Sequence, residues 1–470
     1  MARTDCIGGK PAAVTQDAID GILSDSLDFH DQASNYALHS VHGFAAKFPP
    51  QLPRAFIEAL TDPGETVLDP MVGSGTTAVE ALLLGRNALG FDLDPLARLV
   101  SRAKTAALRP EAVEDVARKV VDAAQLALWR VRDLDERLRA TYSPEVLDFF
   151  DYWFRPDTQR ELMALKIALD ELAPGPTARF LQMLFSSIII TKSGGVSMSR
   201  DLAHTRPWRD RDKQPKSAIE QFHRKATGVI ASLHPPLHDG CRAWICGADA
   251  RRLPVRAKAV HLIVTSPPYA NNAIDYMRAH KFSLTWLGYS LSDLRELRRQ
   301  YIGSELAPQS NRIALPEDAR EAIARVGQRD SKRASFVEKY LCEMRDSLRE
   351  MLRVLVPGRA AIVVVGPSSI REVQVQTQDY LAQIGGQIGF RVLGVKERQL
   401  DRDRRLMPAS ASEEGTTGIE RRLHREFIIA FQKPEEPHEH RAAVTVVCGG
   451  DGRLEQMLDL TELIEATYDW

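Results

Sequence analysis

The sequence predicts an α/β protein with a doubly wound, mostly parallel Rossmann-like sheet that is interrupted by a large helical insertion. The first observation is a strand, a glycine turn, an apolar helix and a second strand that follow one another over residues 66–92. The second is a β-branched run at 360–366, which is typical of a buried strand. The third is helical periodicity of charged and apolar residues over 110–172, which lies between these two parts of the sheet.

Local signals predict the elements of the first hundred residues. Residues 1–40 are polar and without strong periodicity, so we expect an arm or a poorly ordered lead, with order beginning at His42. A short helix at 52–60 is predicted to end at the Thr-Asp-Pro-Gly sequence of 61–64. The strand, turn and helix that follow lead to a strand at 87–92 that ends in an acidic residue.

Beyond the first hundred residues, sheet character returns only after a long helical region. Strands are predicted around 244–246, 261–264, 360–366 and 425–431, and a charged helical segment precedes the third of them. We therefore divide the chain into a polar arm (1–40), the first part of the sheet domain with the cofactor site (41–105), a mainly helical insertion (106–240), the sheet domain with the catalytic turn (241–289), a helical segment (290–355), the remaining strands (356–433) and a polar tail (434–470).

Composition restricts the class of protein without naming a partner. Lys and Arg number 62 and Asp and Glu number 63, so the net charge of −1 does not indicate nucleic-acid binding. The five cysteines are scattered and form no CxxC pair, so we expect reduced thiols and neither disulfides nor a metal site. A polar start and the absence of a long apolar run predict a soluble, cytoplasmic protein without membrane contact.

The glycine turn after the first strand predicts a site for a nucleotide-like ligand that carries an amino acid. Glycines let the backbone approach a ligand closely, and the helix start offers unpaired N–H groups. Asp69 could accept from a ligand ammonium and Asp92 from ribose hydroxyls. The spacing departs from the dinucleotide fingerprint, which disfavours NAD and FAD, while a tight turn without any ligand stays open. The candidate residues here are Asp69, Pro70, Gly73, Gly75, Thr76, Thr77 and Asp92.

A second turn, Thr265-Ser266-Pro267-Pro268-Tyr269, follows an apolar strand. Two prolines supply no N–H and fix the backbone, and the first restricts Ser266 to an extended conformation. The result is a rigid rim with one hydroxyl, free carbonyls and one aromatic ring. An ordinary proline turn with a packed tyrosine is the alternative.

Together these residues resemble the S-adenosylmethionine-dependent DNA amino-methyltransferases. The similarity is to the N4-cytosine type, which carries Ser-Pro-Pro-Tyr where N6-adenine enzymes usually carry Asp- or Asn-Pro-Pro-Tyr. Residues 42–50 resemble the family's cofactor-flanking segment, 69–77 its methionine-binding turn and 90–95 its ribose-binding acidic element. Residues 247–249 resemble the element that reaches the adenine ring. The resemblance thus adds Lys47, Phe48, Pro49, Asp94, Asp249 and Thr265 to the cofactor-binding candidates.

The resemblance implies methyl transfer from S-adenosylmethionine to the N4 amine of a flipped-out cytosine at a short sequence in double-stranded DNA. Ser266, Pro267, Pro268 and Tyr269 would be the catalytic residues. Hydrogen bonds from the amine to the Ser266 hydroxyl and the Pro267 carbonyl would free the nitrogen lone pair, and Tyr269 could stack on the base. An adenine-N6 enzyme and a catalytically silent cofactor-binding nucleic-acid module are the alternatives. The sequence lacks the Pro-Cys nucleophile of carbon-5 methylation.

Basic and polar loops supply candidates for DNA contact, and one of them is the arginine-rich segment 398–408, whose composition predicts a loop from Arg398 and Gln399 onward. Target recognition is expected in 110–236, in 290–335 or in both, and a restriction endonuclease is a further partner that the resemblance allows. Solvated loops with local Arg–Asp pairs, and helix capping by the asparagines, are the alternatives. The candidates are Arg200, Arg206, Arg402, Arg404, Arg405, Asn271, Asn272 and Tyr276.

Overall fold

A computed structural model describes residues 13–45, 47–191, 195–200, 202, 207–233, 240–270, 275–304, 315–400 and 424–435. Within these residues a seven-stranded sheet has the order β3-β2-β1-β4-β5-β9-β8, and β6 pairs with β7 in a separate hairpin. The strands are β1 (Thr66–Asp69), β2 (Asn87–Phe91), β3 (Ala243–Cys246), β4 (Val260–Thr265), β5 (Leu355–Val365), β6 (Ser368–Ile370), β7 (Val373–Val375), β8 (Arg391–Gln399) and β9 (Arg425–Gln432).

The strand directions and the flanking helices confirm the predicted fold class, a mostly parallel Rossmann-like sheet. Strands β1 to β5 pair in parallel, whereas β9 runs antiparallel to both of its neighbours. The helices are α1 (Gln16–Ser24), α2 (Gln51–Leu60), α3 (Thr76–Leu83), α4 (Pro95–Lys104), α5 (Pro110–Ala127), α6 (Val131–Thr141), α7 (Pro144–Trp153), α8 (Pro156–Asp170), α9 (Pro176–Ile189), α10 (Ala218–Val229), α11 (Tyr276–Leu284), α12 (Leu291–Gln300), α13 (Glu317–Arg329), α14 (Ser331–Val354) and α15 (Thr377–Ile388).

Both faces of the sheet are covered because successive strand residues point to opposite sides. In β5, Ile362 and Val364 pack with α1, α2 and α3, whereas Val363 and Val365 pack with α13, α14 and α15. This two-sided burial explains the β-branched run that the sequence shows there. Among the described helices, none is long and apolar enough to cross a membrane.

The predicted insertion folds as helices α5 to α10, which build a hydrophobic core of their own. That core continues into α11 and the turn after it, where the rings of Phe150 and Trp286 stack with centroids 4.0 Å apart. Phe282 of α11 also packs its ring edge against Trp153, at 4.8 Å. The insertion is therefore packed against the helix that follows the catalytic turn.

The expectation that order begins at His42 is wrong for residues 13–40. Thr15 caps α1 by accepting a hydrogen bond from the Ala18 N–H, and Ile19 is fully buried. The Val14 N–H donates to the Gly358 carbonyl at 2.9 Å, and the Gln16 amide donates to the Leu393 carbonyl at 2.8 Å. Too few apolar residues lie here to produce a visible period, but they suffice to cover the edge strand β8.

The expectation of a loop at Arg398 and Gln399 is also wrong, because both belong to strand β8. The guanidinium of Arg398 is 2% exposed and pairs with Glu426 of β9, so it faces protein and not a nucleic-acid phosphate. Alternating charges concealed the strand, since charge at this density suggests a solvated loop. Arg402, Arg404 and Arg405 lie outside the described residues.

Candidate active site

One cavity lies at the carboxyl ends of β1, β2 and β4, the edge where open α/β sheets bind their ligands. The cavity is lined by residues of both turns and of the neighbouring segments that the sequence singled out. Those are Lys47, Phe48, Asp69, Pro70, Gly73, Thr76, Asp92, Asp94, Asp249, Ser266, Pro268 and Tyr276. Candidates that do not line it are Pro49, Gly75, Thr77, Thr265, Pro267 and Tyr269.

The glycine turn takes a conformation that side chains disfavour. Gly73 and Gly75 have φ of +48° and +80°, in the left-handed region. A Cβ on Gly75 would lie 3.1 Å from the Cα of Ser101 in α4, so the two helices approach here at backbone distance. The Ser101 hydroxyl donates to the Gly73 carbonyl at 2.8 Å, which holds the turn in place. Gly75 therefore does not line the cavity itself, but it lets the turn that lines the cavity pack closely against α4.

Asp69 connects the glycine turn to the Ser-Pro-Pro-Tyr turn at 265–269, the proposed catalytic turn. One of its carboxylate oxygens, Oδ1, accepts from the Met71 N–H at 3.1 Å and from the Thr265 hydroxyl at 2.7 Å. Burial raises its pKa to about 6 in spite of these bonds. Thr265 directly precedes Ser266 and lies behind Asp69, while the Thr77 hydroxyl donates to the Val264 carbonyl at 3.1 Å. These contacts fix β4 against the helix that starts at the turn.

Asp92 and Asp94 have different electrostatic environments at the end of β2. Asp92 accepts from the Gly73 N–H at 3.0 Å and from the Asp94 N–H at 2.9 Å. Burial and the charge of Asp94 raise the pKa of Asp92 to about 7. Burial alone would raise the pKa of Asp94 too, but contact of its Oδ2 with His280 Nδ1 at 2.6 Å helps to hold it below its usual value. Asp94 also caps α4.

In the catalytic turn, Ser266 and Pro268 face the cavity, whereas Tyr269 is directed into the protein. The Tyr269 side chain is 7% exposed, and its hydroxyl donates to Glu426 Oε1 at 2.8 Å. Burial and the Glu426 charge raise the pKa of Tyr269 well above its usual value, and a hydrogen bond from Ser266 opposes that rise. Stacking of this ring on a base stays a prediction, because it requires the ring to reach the cavity.

The last turn of α12 and the segment that follows it also line the cavity, and sequence reasoning missed them. The lining residues are Arg298, Tyr301, Ile302, Gly303 and Ser304. The Gly303 N–H donates to Glu343 at 2.9 Å, and Lys339 donates to the Ser304 carbonyl at 3.1 Å. Glu343 in turn pairs at 2.6 Å with Arg251, which also holds Asp249 at 2.6 Å. No motif marks these residues, which only the tertiary fold brings to the cavity.

Other residues of the cavity wall were not singled out individually by the sequence. They are Phe44, Met71, Val72, Ser74, Leu93, Ala248 and Ala250, and the wall also includes Asp275, which sequence reasoning placed with Tyr276 in the base pocket. Most of them are immediate chain neighbours of predicted site residues, so adjacency to the motifs was the available signal. Phe44 lies within the predicted cofactor-flanking segment, and its ring packs on that of His280 with centroids 4.9 Å apart. Pro49, from the same segment, accepts instead from the Leu52 N–H at the start of α2.

Of the candidates for DNA contact, the structure describes Arg200 and Tyr276. Arg200 is exposed, and its guanidinium lies over the Trp208 ring, 5.5 Å from the centroid. Arg209 lies similarly over Tyr152, at 4.9 Å, which gives this surface two basic–aromatic pairs. Tyr276 packs beside the cavity against Phe44. The structure does not describe Arg206, Asn271 and Asn272. Among the residues that it does describe, no cluster of potential metal ligands occurs.

Comparison with known proteins agrees with this site. Residues 21–99 match a family model described as DNA methylase. The chain is 22% identical over 385 residues to the type II methyltransferase M.MvaI of Kocuria varians, covering 76% of this chain and 83% of the relative. It is also 22% identical over 293 residues to type II methyltransferase M.BsoBI of Geobacillus stearothermophilus, covering 56% of this chain and 55% of the relative.

A solved SAM-dependent methyltransferase from Methanosarcina mazei is 10% identical to this chain, and the comparison covers 81% of this chain and 98% of the solved chain. Its TM-score of 0.29 supports no inference. The family match covers the cofactor-flanking segment, the glycine turn and Asp92. The family match and the two relatives are described as a DNA methylase and as type II methyltransferases, the class of enzyme that we propose for this chain below. They do not distinguish cytosine-N4 from adenine-N6 methylation.

Proposed function

We propose that the protein transfers a methyl group from S-adenosylmethionine to the exocyclic N4 amine of cytosine at a short sequence in double-stranded DNA. A single observation carries the proposal. The cavity that holds the glycine turn and Asp92 also contains Ser266, the first residue of the Ser-Pro-Pro-Tyr turn. A cofactor site and a hydrogen-bond acceptor for an amine thus share one cavity, which in-line transfer between two bound groups requires.

The residues of the cavity fit S-adenosylmethionine. Asp92 is a half-buried carboxylate on the wall that accepts from two backbone N–H groups, and ribose hydroxyls would supply further hydrogen-bond donors. Asp69 is placed for the ammonium group, and its pKa of about 6 would fall on pairing with a cation. Ala248 and Ala250 flank Asp249 with small side chains where a planar adenine would lie. When bound, the cofactor supplies an electrophilic methyl group on a sulfonium.

Ser266 then has a defined part in the reaction. The exocyclic amine of cytosine is a poor nucleophile because its lone pair is delocalised into the ring. The amine donates to the Ser266 hydroxyl, and the Pro267 carbonyl is proposed as the second acceptor although Pro267 does not line the cavity. These hydrogen bonds draw the nitrogen towards tetrahedral geometry and stabilise its growing positive charge. The nitrogen takes the methyl carbon in line as the carbon–sulfur bond breaks, and it then loses one proton to solvent.

The choice of cytosine over adenine rests on Ser266, because the hydrogen-bond pattern itself suits either exocyclic amine. Adenine-N6 methylation is therefore the second candidate, and a silent cofactor-binding module is the third. The base must leave the duplex to reach the cavity, and Tyr276 lines the same cavity as Ser266. We propose that Asn271 and Asn272, next to the catalytic turn, complete the base pocket.

DNA contact is proposed for two basic segments of the chain. One contains Arg200 and Arg206 within the insertion, where the Arg200–Trp208 pair is exposed. The other contains Arg402, Arg404 and Arg405, and its flanking residues Leu400 and His424 are joined by a backbone hydrogen bond of 2.8 Å. That bond lies two residues beyond the Arg398–Glu426 pair under Tyr269. A cognate restriction endonuclease is proposed as the functional partner of the methylation.

Identification of the methylated base tests the proposal. The protein is incubated with mixed-sequence duplex DNA and isotope-labelled S-adenosylmethionine, the DNA is digested to nucleosides, and the product is identified by mass spectrometry. N4-methylcytosine supports the proposal, and N6-methyladenine replaces cytosine by the second candidate. Cofactor binding by calorimetry without any labelled base favours the silent module. Ser266→Ala is the control that should bind the cofactor and label no base.

A further inference from the structure

On one side of the cavity, two arginines from different helices meet on a single carboxylate oxygen. Asp275 directly precedes α11, and its side chain is only 6% exposed. Its Oδ2 forms ion pairs with Arg278 Nε of α11 at 2.9 Å and with Arg298 Nη2 of α12 at 2.5 Å. One buried negative charge thus holds two positive charges side by side, and the group keeps a net positive charge.

This pair of guanidinium groups extends from the cavity wall to the outer surface. Arg298 lines the cavity together with Asp275, and its side chain is 32% exposed. Arg278 does not line the cavity, but its side chain is 42% exposed. The two arginines therefore lie at the rim, where a ligand that enters the cavity from outside has to pass them.

Arg298 differs in charge from most of the titratable wall. Acidic side chains dominate there, namely Asp69, Asp92, Asp94 and Asp249. Lys47 is the other cation among the described wall residues, and its ammonium group donates to the backbone carbonyls of His39 at 2.7 Å and His42 at 3.3 Å. Acidic side chains repel DNA phosphates, so entry of a nucleotide requires cations at the rim.

The geometry of a flipped nucleotide places an anion at this rim. A base that rotates out of the duplex stays attached to its strand, so the flanking phosphates remain outside while the base enters the cavity. The planar guanidinium fork matches phosphate oxygens, and an arginine already held by a carboxylate loses less side-chain freedom on binding.

We propose that Arg298 and Arg278 bind the backbone phosphates next to the flipped nucleotide, with Asp275 as the positioning residue that holds both at the rim. The inference rests on the proposed function, because it concerns the DNA substrate of that reaction. It assigns a phosphate site to helices α11 and α12, separate from the two basic segments named above.

Neighbouring cations on the same two helices are directed elsewhere. Lys281 follows Arg278 by three residues, and its ammonium lies over the Phe149 ring of α7, 5.4 Å from the centroid. Arg295 precedes Arg298 by three residues and pairs with Glu145 of α7 at 2.6 Å. Because these two side chains contact the insertion, the rim phosphates are assigned to the pair on Asp275.

The test removes the arginines one at a time. Arg298→Gln and Arg278→Gln each leave Asp275 with its other arginine, so the buried carboxylate keeps a cationic partner and the fold should be retained. The Kd for mixed-sequence duplex DNA is measured from about 50 to 200 mM salt, a range over which phosphate contacts are strongly salt-dependent. Loss of one contact should reduce the slope of log Kd against log salt by about 0.9, so over this fourfold rise the wild-type Kd should increase about 3.5 times more than that of either variant.

The matched control is Arg299→Gln, which removes the same charge from the next position of α12. Arg299 pairs with Glu296 at 2.9 Å, is 57% exposed and does not line the cavity. Its salt slope should stay within about 0.3 of wild type. Without DNA, the cofactor Kd of all three variants should stay within about twofold of wild type. A raised cofactor Kd in Arg298→Gln with an unchanged DNA slope would assign this arginine to the cofactor and overturn the proposal.

A rate measurement places the contact next to the flipped base. At saturating DNA, Arg298→Gln should lower single-turnover methyl transfer by about tenfold or more, because the base is then less well positioned, while Arg299→Gln stays within about twofold. Unchanged salt slopes, or wild-type transfer by Arg298→Gln, would overturn the proposal. If the wild type methylates no base, the proposed function fails, whereas the salt slopes still test the phosphate contact, so the two failures are distinguishable.

Discussion

Cofactor affinity should increase with pH across the neutral range, because Asp92 must be ionised to accept hydrogen bonds from both ribose hydroxyls. Burial and the neighbouring charge of Asp94 raise the pKa of Asp92 to about 7. At pH 6 roughly one Asp92 carboxyl in eleven is then ionised, against roughly ten in eleven at pH 8. Since the apparent Kd is the intrinsic Kd divided by the competent fraction, ionisation of Asp92 by itself should make the Kd at pH 6 about tenfold that at pH 8, before the smaller contribution of Asp69.

The assay is calorimetric titration of S-adenosylmethionine at pH 6, 7 and 8 and constant ionic strength, with Asp92→Asn as the matched variant. The variant should bind more weakly at pH 8 and lose most of the pH dependence. Asp69 has a pKa of about 6, so it contributes a residual factor of about two at pH 6 in both proteins. A pH-independent wild-type Kd, or an equal slope in Asp92→Asn, would refute the assignment of the ribose to Asp92.

Three further predictions follow from the geometry of the site. Ser266→Ala should leave the cofactor Kd within about twofold and lower single-turnover transfer by about 100-fold or more, and wild-type turnover would contradict the mechanism. Gly75→Ala should lower the free energy of unfolding by about 1–3 kcal/mol, measured by denaturant titration, because φ is +80° and a Cβ meets Ser101. Folding raises the Asp92 pKa from 3.8 to about 7, so the free energy of unfolding falls as pH rises between these values. Asp92→Asn should therefore raise the unfolding midpoint of the cofactor-free protein at pH 8. An unchanged midpoint would count against the raised pKa.

Sequence reasoning identified the two turns because each depends on residues that have few substitutes. Gly75 is required by a left-handed backbone and a close approach to α4, and the prolines of 267 and 268 restrict the backbone by their own covalent geometry. Strands such as β5 were also predictable, since burial on both faces demands a continuous apolar run. These are local constraints, and a local constraint can be read from neighbouring residues in the chain.

Elements stabilised by distant partners were the ones that sequence reasoning missed. Helix α1 has one fully buried residue, Ile19, and its position depends on contact with β8, where the Gln16 amide donates to the Leu393 carbonyl. Strand β8 itself carries alternating charges, and Arg398 is tolerated inside the protein only because Glu426 lies opposite on β9. Propensity and periodicity describe one segment at a time, so a buried ion pair between two segments leaves no trace in either.

The sequence by itself indicated the class of reaction that we propose, because the glycine turn and the Ser-Pro-Pro-Tyr turn are both contiguous motifs. Tertiary structure decided that they share a cavity, that the segment after α12 closes one side of it, and that Tyr269 points at Glu426. The reason is physical: the type of a reacting group is fixed by its own side chain. Its orientation, its pKa and its free lone pairs are fixed by atoms that lie far away in the chain.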